Sequence, residues 1–175
     1  MQYPKNFEPA GTELIKLASG DLVDVPKATP HFRRWAGDRV ADTYGNKPVL
    51  DSGGSPAFAE ILILRAFQQE GWEGVWVDTF RQKFRTECFP VNAVVLPPPQ
   101  KEILERIREA AGHHSGCWDV FCWKGEDCVW AEAKLHRRDR IRPSQVNWLD
   151  AALKIGIGLS SFLVVEWSTE HVIRS

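Results

Sequence analysis

The chain has 175 residues, 43% of them hydrophobic, with eight Trp and nine Phe. That suits one domain with enough apolar matter for a core without disulfide staples. A formal net charge of −1 excludes a globally basic nucleic-acid binder, so any such role must rest on a local patch. Met1-Gln2-Tyr3-Pro4-Lys5 does not open a secretory signal, and Lys154 and Glu166 break the apolar stretch 151–167, so a membrane span is excluded and cytoplasm is expected.

Residues 1–55 are rich in Gly, Pro, Asp and Lys. Two short apolar runs around Ser19-Gly20-Asp21 predict a hairpin within 12–25, and the whole segment reads as an N-terminal extension packed on the core. Asp51-Ser52-Gly53-Gly54-Ser55-Pro56 then reads as a helix start, with Ser55 as N-cap and Pro56 at the first position. The helix is expected over 56–70, ending at Gly71, with a strand over 74–80.

Residues 81–115 form an inserted segment, with Pro97-Pro98-Pro99 as a break before a helix over 101–111. Runs at 117–123 and 128–135 flank the polar turn Lys124-Gly125-Glu126-Asp127 and predict a β-hairpin. A helix over 143–155 and a strand over 162–167 follow. This order predicts an α/β domain over 56–175, a mixed central sheet flanked by helices.

Strand alternation puts Trp130, Glu132 and Lys134 on one face and Val129, Ala131, Ala133 and Leu135 on the other. Counting outward from the turn, Asp119 falls level with Glu132, where directly paired strands bring Cβ atoms to ~5 Å. Two carboxylates so placed repel unless a cation neutralises them, and Mg²⁺ takes one or two protein carboxylates while keeping sites for water and phosphate. Lys134 is then placed to serve a metal-bound water. The plainer alternative is a charged, solvated strand face.

Glu60 is the sole charge within Ala57–Leu64, on a helix apolar nearly all round. A buried carboxylate needs a partner or a metal, so Glu60 is either a third metal ligand or the partner of a nearby Arg. Arg137, Arg138, Arg140 and Arg142 crowd the loop after the hairpin, where they either attract a phosphate backbone or form a solvated surface. Cys88, Cys117, Cys122 and Cys128, with His113 and His114 nearby, lack the tight pairs of a zinc site and read as packed thiols.

With these residues in view, the stretch 116–167 resembles the PD-(D/E)xK nuclease superfamily, and within it the VRR-NUC (virus-type replication-repair nuclease) family. The matching residues are Gly116-Cys117-Trp118-Asp119, Glu132-Ala133-Lys134, Asp139-Arg140, Gln145, Trp148-Leu149 and the strand Phe162-Leu163-Val164-Val165. Trp118 stands where the family usually has Pro. The resemblance implies a restriction-endonuclease-like core and phosphodiester hydrolysis of DNA, commonly branched or flapped.

By the same resemblance Asp119 and Glu132 bind Mg²⁺ or Mn²⁺, with Glu60 joining from the first core helix. Lys134 serves the attacking water and Gln145 contacts phosphate or the water network. The expected function is therefore a metal-dependent DNA nuclease. A non-catalytic nucleic-acid-binding module on the same fold is the alternative, and a plain interaction protein is a third reading. One site per chain cuts two strands together only in a symmetric dimer, which leaves a homodimer open.

Overall fold

The computed structural model describes residues 2–169. Its strands are β1 (Gly11–Lys16), β2 (Leu22–Ala28), β3 (His31–Phe32), β4 (Leu50–Asp51), β5 (Pro56–Ala57), β6 (Glu73–Asp78), β7 (Lys83–Arg85), β8 (Val120–Lys124), β9 (Asp127–Leu135) and β10 (Phe162–Thr169). The helices are α1 (Ala59–Gln69), α2 (Pro98–Ala111) and α3 (Pro143–Lys154). The main sheet runs β1-β2-β10-β9-β8-β6-β7, with β3 pairing the far end of β10. β10 lies parallel to β2 and β9, whereas β9-β8-β6-β7 is antiparallel throughout. The expected α/β architecture, a mixed central sheet flanked by helices, is present.

Period-two alternation divides the core in two. Val120, Cys122, Val129, Ala131, Leu163 and Val165 face α1, packing on Ile61, Leu64 and Phe67. Their neighbours Phe121, Trp130, Phe162 and Val164 face α2 and α3, packing with Leu104, Ile107, Trp148 and Leu149. Phe121 stacks on Trp130 at 4.6 Å and Trp130 on Phe162 at 5.5 Å. Each such pair adds about 0.5–1.5 kcal/mol beyond the area it buries. Trp72, Trp76 and Trp167 are buried as well, so these indoles are packing residues.

The hairpin, the later helices and the last strand stand close to their expected bounds. The start of α1 does not. Asp51-Ser52-Gly53-Gly54-Ser55-Pro56 is the tip of a short hairpin, in which Leu50 pairs Ala57 and Asp51 pairs Pro56. Gly53 and Gly54 take φ of 64° and 87°, and the Asp51 carboxylate accepts the Gly54 N–H at 2.7 Å. The N-cap is therefore Phe58, and Ser55 and Pro56 do not begin the helix.

Residues 1–55 do more than pack on the core. They supply β1 and β2 to the main sheet, with Lys27 and Ala28 paired to Val164 and Val165. In the inserted segment 81–115, β7 extends the opposite edge and α2 packs on α3. Among the described residues no helix is long and apolar enough to cross a membrane.

Candidate active site at the mouth of the central hairpin

The site begins with a backbone contact. Gly116 sits at φ 89°, and a Cβ there would lie 2.0 Å from the Ser144 carbonyl oxygen. The loop into β8 thus lies directly on the first turn of α3, an approach open only to glycine. Trp118 is fully buried; its indole N–H donates to the Gln145 carbonyl at 3.2 Å and its ring meets Phe162 edge-on at 5.1 Å. Trp118 therefore fixes this turn by packing.

Asp119 follows, held on both sides. Its carbonyl accepts the Val77 N–H at 2.7 Å, its N–H donates to Glu132 Oε2 at 3.3 Å, and its Oδ2 accepts the Ala133 N–H at 3.1 Å. Glu132, buried on β9, also accepts a bond at Oε1 from the Gln145 amide. The Gln145 amide is oriented by its other end, because Oε1 accepts the Arg142 N–H at 2.8 Å and so turns the NH₂ toward Glu132. Asp119 just before β8, Glu132 on β9 and Gln145 on α3 thus come together as expected.

Charge is poorly compensated here. Burial and the nearby Glu60 push the Asp119 carboxyl up to about 7, against the opposing pull of Lys47 and its own hydrogen bonds. Glu132 is raised well above the usual carboxylate range by burial, then by Asp119, with Gln145 and the Asp119 N–H only partly offsetting this. A solvated strand face is excluded, since Glu132 is 6% exposed.

Among the described residues, no three His, Cys, Asp or Glu side chains gather as a metal cage. A pair does suit Mg²⁺, which binds through one or two carboxylates and completes its shell with water and phosphate. Each Glu132 oxygen keeps a lone pair beyond its one accepted bond. A buried carboxylate, Glu132, and a half-buried one, Asp119, both short of positive charge, thus fit a divalent cation.

Of the remaining expected members, Lys134 lies outside the cleft, whereas Glu60 lines it beside Asp119 and Glu132 but is already paired. The Lys134 ammonium is buried and bonds Glu13 Oε1 on β1 at 2.7 Å, away from the cleft. Glu60, in the first turn of α1 and 5% exposed, contacts the Lys47 ammonium; its partner is a lysine from the first 55 residues rather than a neighbouring arginine.

A cleft of about 1700 Å³ opens over the carboxylates. Arg138, Arg140 and Arg142 line one wall and Arg81 and Lys83 another. Arg137 takes the left-handed position of its turn, φ 61°, and does not line the cleft. The second wall is rooted by buried Arg85, which donates to Asp78 Oδ2 at 2.9 Å, the Tyr44 hydroxyl at 2.7 Å and the Cys88 carbonyl at 2.7 Å. The Arg81 guanidinium lies 3.6 Å from the Tyr44 ring centroid.

Sequence reasoning missed Lys47, Asp78, Arg81 and Arg85. The only local signal was an Asp closing an apolar strand. The four cysteines are free thiols; burial pushes Cys88 and Cys128 up to about 11 and Cys117 and Cys122 higher still, as packed thiols require. Compared with models of known protein families, with curated proteins and with solved structures, the chain gives no match.

Proposed function

We propose that the protein is a divalent-metal-dependent nuclease that hydrolyses DNA phosphodiester bonds in the cleft above Asp119 and Glu132. The observation that carries this reading is the convergence of these two carboxylates, tied by the Asp119 N–H and flanked by Gln145, beneath a wall of arginines. Asp119 and Glu132 would hold Mg²⁺ or Mn²⁺, and the ion would supply Lewis-acid charge for the scissile phosphate and for activating water. Gln145 holds the Glu132 carboxylate in one orientation, a second layer whose loss costs about 10–100-fold in metal affinity or activity. Arg138, Arg140 and Arg142 seat the phosphate backbone, which positions a strand without reading its sequence.

One observation favours a binding module without catalysis: the Lys134 ammonium is engaged with Glu13 instead of the cleft. Labelled linear, flap and four-way DNA incubated with Mg²⁺, Mn²⁺ or a chelator separates the two. The nuclease cuts at least one substrate only when metal is present. Retarded but intact DNA under every condition identifies the binding module.

A further inference from the structure

The charge balance of the cleft singles out a residue of the N-terminal segment. Lys134 is 4% exposed, its ammonium bonds Glu13, and it does not line the cleft. Lys47 does line it. Its ammonium touches Glu60 and is attracted by Asp119 and Asp78, all of which line the cleft with it. The side chain is 38% exposed, open to a ligand entering the cleft.

The mounting of Lys47 is built. Its N–H closes onto the Thr43 carbonyl at 2.8 Å, through a turn in which Tyr44, Gly45 and Asn46 take φ of 53°, 80° and 69°. Tyr44 is pinned to the opposite wall by Arg85 and Arg81. The ammonium lies 5.4 Å from the Trp76 ring centroid and 5.9 Å from that of Phe58, two faces that steady a cation in place. An ammonium preset beside the reacting centre stabilises charge without reorganising during the reaction.

We propose that Lys47, carried by the N-terminal segment, is the working amine of the site: the catalytic ammonium that meets the charge of the scissile phosphate. This rests on the nuclease reading. Without substrate the same ammonium pairs with Glu60 and offsets part of the charge at Asp119, so it opposes a divalent cation entering beside it.

The test compares the full chain with Lys47→Met, Lys47→Arg and Lys134→Met, reading Mn²⁺ affinity by electron paramagnetic resonance and cleavage of labelled DNA at saturating Mn²⁺. Removing a resident positive charge from beside the carboxylates tightens Mn²⁺ binding by about three- to tenfold in Lys47→Met. Cleavage by the same variant drops about 100-fold or more, and Lys47→Arg recovers part of it. Lys134→Met changes Mn²⁺ affinity less than about twofold, its ammonium lying outside the cleft.

Cleavage by Lys47→Met within threefold of the parent overturns the proposal and leaves the nuclease reading standing. A parent that binds Mn²⁺ but cuts nothing ends both. Unchanged Mn²⁺ affinity in Lys47→Met removes the placement of Lys47 among the metal-binding carboxylates, whatever the cleavage result.

Discussion

At the scale of single residues, Asp119 is a carboxyl that resists ionising. An unfolded aspartate titrates near 3.9, whereas burial and Glu60 lift Asp119 to about 7. Between those values the folded chain binds more protons than the unfolded one, so this group's contribution to stability is lost as pH rises. In chelator, Asp119→Asn therefore melts higher than the parent at pH 8, and the difference narrows markedly at pH 5. Thermal melts at both values check this; a variant no more stable than the parent at pH 8 contradicts it.

Asp119 and Glu132 were legible because their pairing depends on strand alternation and a short turn, both local. Lys134 was assigned by the same alternation, but its partner Glu13 lies 121 residues away in sequence. Nothing near residue 134 announces that contact. Lys47 was invisible for the same reason, since its role comes from where a loop lands.

At the scale of elements, aiming the carboxylates falls to the loop before β8 and the first turn of α3. Their backbones touch at Gly116 and Ser144, and the same turn of α3 carries Gln145 to Glu132. Gly116→Ala adds a Cβ in the left-handed region and against a carbonyl oxygen, and is expected to cost about 2 kcal/mol or more. Because the loop must retreat, Mn²⁺ affinity falls with stability. Urea unfolding and metal titration of the same sample test both, and a variant weakened in neither contradicts this packing.

The hairpin of β8 and β9 was readable from alternation around Lys124-Gly125-Glu126-Asp127, where Lys124 and Asp127 now pair. The start of α1 was misread because Gly-Gly-Ser-Pro serves a hairpin tip and a helix entrance equally well. Pairing with Leu50 and Asp51 decided between them, a contact that helix periodicity does not encode.

At the scale of the whole molecule, the sheet divides labour between its halves. Its antiparallel half and α3 hold Asp119, Glu132 and Gln145, and the N-terminal residues close both sides of that unit, with Glu13 on Lys134 and Lys47 on Glu60. The class of fold was legible because alternating apolar runs dictate a two-faced sheet. The integration of residues 1–55 was not, because β2 joins β10 across most of the chain.

The central claim is that Asp119 and Glu132 together hold one divalent cation. Calorimetric titration of Mn²⁺ into the intact chain, the parent beside Asp119→Asn and Glu132→Gln, measures it most directly. The parent is expected to bind one ion per chain, with protons released on binding below pH 7, and each variant to lose at least about tenfold in affinity. Affinity unchanged in either variant, or no ion bound by the parent at pH 8, would contradict the account.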